Sequence, residues 1–473
     1  MSNEEQPESV WTTLYTIDGQ PVQEQVDGVP DEIAEMYDVL YKTWSAKLWR
    51  NCLRYRYYDG KNKLKDFGIS TPPQLLNVET VVGWPQKAVD ALAVRSRFDG
   101  FIAADVDLQE RLDAISEHSR IPLKYRQAVQ GELIHSCCFA VIRRDATGQA
   151  RIDIYDAENA TAVWDDAAGR IAFGMVVNEH EGVDIIDADI LTDDYVVHIH
   201  FGPGKTLQWS VEEHTLGRTP MAVFAYRPTL RKPFGVSRIS RSVMSITDSA
   251  VRVALGGDIS YQFAVSPQKY LLNADKNPFT EQTRWEAYIG SIFAVSNDSD
   301  NGTPVFGQLT QASMQQTVDY MRLLANRFAA ETNIPLSQLG VASDANPQSA
   351  EAMYAASEPL IIEAEELNDT ARLALKDAAL MALAIGDDVS FDELPPEYRD
   401  FSVSMRNPAM PSVVSQADAM VKIASVVPAF AGTDMFFEQM GFSEDMRRRV
   451  KSDMAANTGT AVLNSLMGQA FNG

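Results

Sequence analysis

The segment from Ala325 to Leu375 constrains this chain most, because it predicts the end of one helix, a loop, and then an unusually long helix. Asn333, Pro335 and Gly340 end the first helix, since proline lacks an interior N–H group and glycine tolerates a terminating turn. The second predicted helix is longer than a small globular domain needs.

The second helix has a clear start and one interruption. Asn346 is a suitable N-cap, and Pro347 suits the first helical position. Apolar residues then recur at spacings of three, four and seven: Met353, Leu360, Ala364, Leu367, Ala371, Leu375 and Ala378. Pro359 lies within this run, where its ring opposes the carbonyl of Ala355 and predicts a kink in a continuing helix.

Two earlier stretches have the apolar seams of helices that pack on other helices. The first seam is Val236, Ile239, Val243, Ile246, Ala250, Val253 and Gly257, and the second is Met314, Val318, Met321, Ala325 and Phe328. The first seam becomes smaller toward its end, which favours close helix approach. Between them, residues 266–308 predict short strands, a short helix near Phe279–Ile289 and a turn cluster at 297–302.

The N-terminal half divides into helical and β-rich regions. Predicted helices are Asp31–Arg50, Gly83–Phe98, Leu108–Ser119 and Leu123–Cys137, with Pro85 and Pro122 near two of the starts. Residues 138–226 alternate short β-rich runs with Gly and Asp turns, which is typical of antiparallel strands. Beyond Ile385 we expect an acidic loop and one strand, followed by helices over 412–470.

These segments resemble one family. Ile334–Gly340 (IPLSQLG), the polar loop, Ser349–Ala352 (SAEA) and the kinked acidic helix resemble the tail-proximal half of a portal protein from a long-tailed, siphovirus-type double-stranded DNA bacteriophage. Phe234–Val253 is similar to the stem helix of that family, which is entered through a Phe-Gly-x-Ser turn. The two parts follow the family order, and the resemblance extends over roughly residues 30–410.

The resemblance implies a mixed α+β portal fold with an α-helical stem and crown, a β-containing wing and a small α/β clip, in a ring-forming subunit. The implied parts are a flexible acidic arm at 1–29, the wing at 30–235, a stem helix at 236–265, the clip at 266–308, a stem helix at 309–332, a channel loop at 333–348, the kinked long helix and wing return at 349–411, and the crown and C-terminal tail at 412–473. Candidate channel-loop residues are Ser343, Asp344, Asn346 and Gln348.

The implied function is a ring-shaped DNA channel at one capsid vertex, through which the genome is packaged and ejected. The implied partners are eleven further copies of the chain, double-stranded DNA without sequence specificity, the terminase large subunit, the major capsid and scaffolding proteins, and a head–tail connector. We expect neighbouring subunits to supply packing partners for both seams. No catalytic activity, cofactor or membrane is implied, and the protein would assemble in the host cytoplasm and reside in the virion.

Two rival functions stay open at this point. One is another ring-forming virion adaptor that does not act as the DNA portal, which a bore too narrow for a DNA duplex would favour. The other is a nucleic-acid-processing enzyme, which needs metal-binding carboxylates or histidines that converge in space.

Charge agrees with either a soluble acidic surface or a channel that repels phosphate. The 473 residues carry a formal charge of −24, opposite to an ordinary nucleic-acid binder. Residues 145–213 hold fifteen acids and three basic residues, whereas 215–247 contain no acid. Four basic residues of the second stretch are interface candidates: Arg231, Lys232, Arg238 and Arg241. In order of preference they would form subunit salt bridges, contact phosphate, or provide a docking surface.

Several tempting motifs have simpler explanations. Gly202–Thr206 (GPGKT) has Ile199 where a phosphate-binding loop needs glycine, so a β-hairpin turn is favoured. His198 and His200 share a strand face without an obvious third metal ligand. Cys137 and Cys138 suit a buried junction in a reducing compartment. Three glutamates of the long helix, Glu363, Glu365 and Glu366, are expected on a solvated or interface face.

Overall fold

The computed structural model describes residues 30–62, 80–202, 207–265, 269–272, 305–308, 314–340, 350–409, 413–440, 442 and 446–454. The chain divides into unit 1, Met1–Pro408, and unit 2, Ala409–Gly473. The predicted arm at 1–29 and most of the predicted clip, including Phe279–Ile289 and the turn cluster, lie outside the described residues.

Helices and antiparallel strands alternate along unit 1. Its described α-helices are α1 (Asp31–Tyr58), α2 (Trp84–Ala93), α3 (Val106–Ser119), α4 (Ile121–His135), α5 (Arg241–Val265), α6 (Gln315–Thr332) and α7 (Ala350–Asp387). Its strands are β1 (Phe98–Ala103), β2 (Cys137–Arg144), β3 (Ala150–Asp156), β4 (Ala160–Asp165), β5 (Arg170–Glu181), β6 (Asp184–Leu191), β7 (Tyr195–Phe201), β8 (Leu207–Glu213), β9 (Met221–Ala225), β10 (Lys269–Leu272), β11 (Val305–Gln308) and β12 (Phe401–Met405). Unit 2 contains α8 (Val413–Val426), α9 (Asp434–Gln439) and a helical segment at 446–454.

The described strands form four antiparallel sheets. Strands β4 to β8 make a five-stranded sheet in sequence order, and β3-β2-β9 make a second sheet. These two sheets confirm the antiparallel interpretation of residues 138–226. Two strand pairs complete the set: β1 with β12, and β10 with β11. The strand predicted beyond Ile385 is β12, and the clip prediction is confirmed only for its two described strands.

Helix α1 packs across the five-stranded sheet. Tyr37, Leu40 and Trp44 follow helical spacing on its apolar face and are at most 1% exposed. They contact sheet residues such as Ile190 and Val197. The indole Nε1 of Trp44 also donates a hydrogen bond to the Glu158 carbonyl at 2.6 Å, which gives this large side chain a polar partner. This cluster fixes the helix on the sheet.

A larger core joins the three-stranded sheet to helices α2 to α7. The C-terminal half of α7 is its centre, because every residue from Ala378 to Ala384 is buried. Helix α6 contributes Leu324, Ala325 and Phe328, and the ring of Phe328 lies 5.2 Å from that of Trp84. A helix that is apolar on all sides fits this buried position.

Three helices of the wing end at other residues than predicted. Helix α1 continues to Tyr58, because the Asn51 side chain donates to the Ala157 carbonyl and Tyr57 donates to Asp248. Helix α2 ends at Ala93, and Phe98 begins a strand that pairs with Met405. Helix α4 spans Ile121–His135, so Cys137 belongs to β2. In each case tertiary contacts override the local pattern.

The first stem helix begins at Arg241, so the predicted start at 236 is wrong. Val236 and Ile239 therefore lie in an irregular segment, although Ile239 is buried. Close approach of α5 to α6 is confirmed at Gly257, where an added Cβ would lie 3.2 Å from the Thr317 methyl group. The second stem helix is described from Gln315, since 309–313 lie outside the described residues.

Many apolar residues of the two seams are packed within one subunit. Ile239, Val243, Ile246 and Ala250 are at most 5% exposed in the larger core, as are Ala325 and Phe328. Val236, Val253 and Met321 pack against that core while remaining half-buried, and Met314 is also half-buried. Val318 is 49% exposed. The expectation that neighbouring subunits supply the packing partners is therefore wrong for the buried members.

We predict that Ile246→Asp destabilises the subunit itself, because it places an unpaired charge in the core. The loss in free energy of unfolding should be about 3 kcal/mol or more. Ser245→Asp is the matched control, since Ser245 is the preceding, exposed residue of the same helix and its change should stay within about 0.5 kcal/mol. Urea unfolding of both variants measures the difference, and equal stabilities would contradict the burial of Ile246.

Candidate functional site

The turn before α5 fixes the start of that helix. Gly235 has φ of +68°, and an added Cβ would lie 2.3 Å from the Tyr226 carbonyl oxygen, so only glycine fits. The Val236 N–H donates to that same carbonyl and the Arg238 N–H donates to the Leu133 carbonyl. Ser240 Oγ then accepts from the Val243 N–H as an N-cap. The N–H groups of Val236 and Arg238 thus bond to carbonyls outside the helix, which agrees with a helix start at Arg241.

Arg238 leaves this turn and enters the core, where it is 6% exposed. Its Nε donates to the Ala88 carbonyl of α2 at 2.6 Å, and Nη2 donates to the Thr332 carbonyl at the end of α6, also at 2.6 Å. Its Nη1 donates to the Tyr226 hydroxyl at 2.9 Å and forms an ion pair with Glu363 of α7. One guanidinium therefore connects three helices and the segment after β9.

Glu363 completes a buried polar network. This residue is 5% exposed, accepts a hydrogen bond from the Tyr226 hydroxyl, and lies 3.4 Å from the Asn333 amide nitrogen through its other oxygen. Burial, followed by the Glu363 charge acting against Arg238, raises the pKa of Tyr226 to about 12. The hydroxyl therefore stays protonated at neutral pH. Two predictions are wrong here: Arg238 is not available at a surface, and Glu363 is not on a solvated face.

The same network contacts both sides of the segment predicted as the channel loop. Helix α6 ends at Thr332, and Asn333 follows in the left-handed conformation with φ of +56°, as its position in the sequence predicts. A short 3₁₀ helix, Leu336–Leu339, leads to Gly340, which also has positive φ. The channel-loop candidates Ser343, Asp344, Asn346 and Gln348 lie outside the described residues. Arg238 binds Thr332 before this segment and Glu363 after it.

Pro359 lies inside α7, and the helix continues through it as predicted. The first buried residue after it is Leu360, whereas Met353 and Tyr354 are each about half exposed. The N-terminal turns of α7 thus extend beyond the packed core of their own subunit. A kink at Pro359 stays a prediction.

The remaining basic candidates do lie at the surface. Arg231, Lys232 and Arg241 are exposed, so all three interpretations of them stay open. Arg218, from the same acid-free stretch, instead forms an ion pair with Asp377 at 3.0 Å and stacks over the Phe391 ring at 4.5 Å. Arg218 and Arg238 of this basic stretch therefore serve the subunit's own packing.

The strands flanking GPGKT form a hairpin. Strands β7 and β8 pair antiparallel from Tyr195 with Glu213 to Phe201 with Leu207. This pairing confirms the strand predicted after Thr206 and leaves no helix there for a phosphate-binding loop. Residues 203–206 themselves lie outside the described residues.

The two strand histidines contact carboxylates. His198 Nδ1 lies 2.6 Å from Asp189 and its Nε2 lies 3.5 Å from Glu212, while His200 Nδ1 lies 3.4 Å from Asp187. Asp189 is also bound by Arg143 at 2.8 Å, and its pKa is lowered by that charge and by hydrogen bonds from Asn178 and His198, which outweigh burial. Within the described ranges, no cluster of three or more potential ligands could hold a metal ion.

The cysteines and the other glutamates behave as predicted. Cys137 and Cys138 are buried, and burial raises the pKa of Cys137 to about 11, so its thiol stays protonated at neutral pH. Glu365 and Glu366 are exposed on α7. None of the helices searched in the described chain is long and apolar enough to span a membrane.

The Arg238–Glu363 pair is what reasoning from the sequence missed. A basic residue between two apolar seam residues, with no acid nearby in sequence, was the available signal for a buried partner. The ion pair joins residues 125 positions apart, so no local spacing identifies Glu363. The bond from Tyr57 to Asp248, which joins α1 to α5 across 191 positions, was missed for the same reason.

We predict that Arg238→Met lowers the free energy of unfolding by about 3–5 kcal/mol, because Glu363 is left charged and buried. The double variant Arg238→Met/Glu363→Met should recover most of this loss, and the difference measures the coupling. Arg372→Met is the control, since Arg372 pairs with Asp369 on the surface of α7, the helix that carries Glu363. This substitution should lower the free energy of unfolding by about 0.5 kcal/mol or less. Equal losses in the single and double variants would contradict a coupled pair.

Comparison with known proteins gives consistent relatives. The family described as "Phage portal protein, SPP1 Gp6-like" matches residues 38–233. The portal proteins of Mycobacterium phage D29 and Mycobacterium phage L5 are each 26% identical over 428 residues, which is 85% of this chain and 85% of each relative.

Solved structures give weaker likenesses. A chain of the virion of a native gene transfer agent particle covers 76% of this chain and 89% of its own length, with 13% identity and a TM-score of 0.39. A chain of the neck of that particle, computed with C12 symmetry, covers 78% and 93%, with 11% identity and a TM-score of 0.40. The sequence relations carry the comparison: this chain is similar to phage portal proteins over most of its length.

Proposed function

We propose that copies of this chain form a ring at one vertex of a phage capsid, and that the genome enters and leaves through its bore. The observation that carries the proposal is the relation to two portal proteins over 85% of the chain. The role is structural: a terminase motor supplies the ATP-driven force. The docking partners are the terminase large subunit, the major capsid and scaffolding proteins, and a head–tail connector. Twelve subunits, assembly in the host cytoplasm and a final place in the virion belong to the same proposal.

Surface charge supports passage of DNA without binding. The chain carries a formal charge of −24, and exposed acids on α7 include Glu358, Glu365, Glu366 and Asp369. Lysine and arginine that neutralise phosphates make DNA adhere, with a strong dependence on salt. An acidic ring would instead keep the duplex mobile in its bore.

Exposed apolar side chains support contacts between subunits. Val318, Tyr320 and Leu323 on α6 are between 47% and 51% exposed, and Met353 and Tyr354 on α7 are 53% and 52% exposed. Exposed apolar residues grouped on two helices are typical of an interaction surface. Head-to-tail contacts between two different faces would close into a ring.

Electron microscopy of the purified full-length chain tests the function directly. We expect closed rings with an open centre wide enough for a DNA duplex. Rings with a narrower bore would favour a different virion adaptor. Monomers that cleave DNA with a divalent metal would favour an enzyme and overturn the proposal.

We predict that Val318→Asp reduces the fraction of protein in rings while leaving the subunit fold intact. The residue is 49% exposed, so the aspartate stays hydrated in the free subunit but is desolvated in an interface. Gln316→Asp, at an exposed position two residues earlier on α6, is the matched control. Mass photometry gives the ring fraction, and thermal unfolding checks the fold. Unchanged rings would remove Val318 from the interface.

We predict that Asp344→Lys slows DNA packaging, because each subunit would present a new cation to the phosphates of the passing duplex. The effect should be larger at low salt, since the screening length is about 10 Å at 0.1 M and shortens as salt increases. Asp392→Lys, an exposed position after α7, controls for the change in net charge. Packaging assays across a salt series measure the rates. Wild-type rates at every salt concentration would place the 333–348 segment away from the DNA.

A further inference from the structure

A small cavity beside α1 is lined by cations and by no carboxylate among the described residues. It has a volume of about 40 Å³ and lies where α1 meets the start of β2 and strand β4. Lys47 and Arg50 line it from α1, and Ser136, Cys137 and Thr161 line it from the other elements. This is unexpected in a protein with a formal charge of −24.

The cations form one stripe along the helix. Lys47, Arg50 and Arg54 are spaced at i, i+3 and i+7, so they lie on one face, where like charges repel. Arg54 lies next to the cavity and donates from Nη1 to the His135 carbonyl at 2.5 Å. Lys47 and Arg50 form no ion pair with any described residue, whereas Lys42 on the same helix pairs with Asp38. The stripe thus lacks a counter-charge in the described chain.

Burial disfavours the charged form of two of these groups, Lys47 and Arg54. Desolvation, and then repulsion from Arg50, lower the pKa of Lys47 below its usual value. The same two causes lower the pKa of Arg54 to about 10. Arg54 still carries its charge at neutral pH. Buried His135 also lines the cavity. Its Nδ1 atom has no hydrogen-bond partner among the described residues.

We propose that this cavity binds a small oxyanion, held by Lys47 and Arg50 and further attracted by Arg54. One buried water needs about 10–15 Å³ of cavity volume, so the space admits roughly three water-sized groups, the size of a phosphate or carboxylate group. Ser136 and Thr161 line the same space, and the side chain of each carries a hydroxyl donor. The anion supplies the missing counter-charge. This inference stands apart from the proposed DNA channel.

Thermal unfolding of full-length protein, in a fraction that mass photometry shows to be single subunits, tests the site. Sodium phosphate should raise the unfolding midpoint by about 2 °C or more above sodium chloride at equal ionic strength, because a ligand that binds only the folded state stabilises it. Lys47→Met should lose this response. Without phosphate it should unfold at the same temperature as wild type or higher, since an unpaired half-buried charge is gone.

Lys42→Met is the matched control, because it removes an exposed lysine from the same helix and should retain the full phosphate response. The ring fraction identifies the natural source of the anion. If phosphate and Lys47→Met both lower this fraction, the oxyanion is a carboxylate from a second copy; if neither does, it is a free ion. A wild-type midpoint that responds equally to phosphate and chloride, or an unchanged response in Lys47→Met, would overturn the proposal.

Discussion

The buried pair of Arg238 and Glu363 is the interaction on which the arrangement of the helices depends. Its guanidinium reaches the Ala88 carbonyl, the Thr332 carbonyl and the Glu363 carboxylate, so it sets the relative positions of α2, α6 and α7. Two buried charges are stable only when their remaining hydrogen-bonding groups are satisfied, and here the Tyr226 hydroxyl and backbone carbonyls do so. A packing error at any of these helices would leave a charge without a partner.

This pair constrains geometry more than an apolar contact would. Proteins in which apolar residues replace a buried ion pair are often equally stable, so stability alone does not explain why this pair is present. The planar guanidinium donates in fixed directions, and each donor has its own acceptor on a different element. The pair thereby fixes the end of α6 at Thr332 against the Glu363 position of α7.

Local sequence patterns predicted the regular helices and strands, and they failed where segments that are distant in sequence meet. The long helix through Pro359, the end of α6 at Asn333 and the antiparallel strands of 138–226 were all visible in the sequence. The pairing of β1 with β12 joins segments about 300 residues apart, and no local spacing records it. The role of Glu363 was missed as well, because its partner Arg238 lies 125 positions away. A glutamate on a helix also usually faces solvent.

In the proposed ring, the burial of the seam residues narrows the surfaces that can join one subunit to another. Ile246 and Phe328 are used within the subunit, so they cannot also hold a neighbour. Exposed apolar side chains lie on the other side of α6, at Tyr320 and Leu323, and on the N-terminal turns of α7, at Met353 and Tyr354. These faces belong to the two helices that Arg238 aligns through Thr332 and Glu363. An error in that buried network would therefore reach the proposed assembly as well as folding, because it would misplace both faces at once.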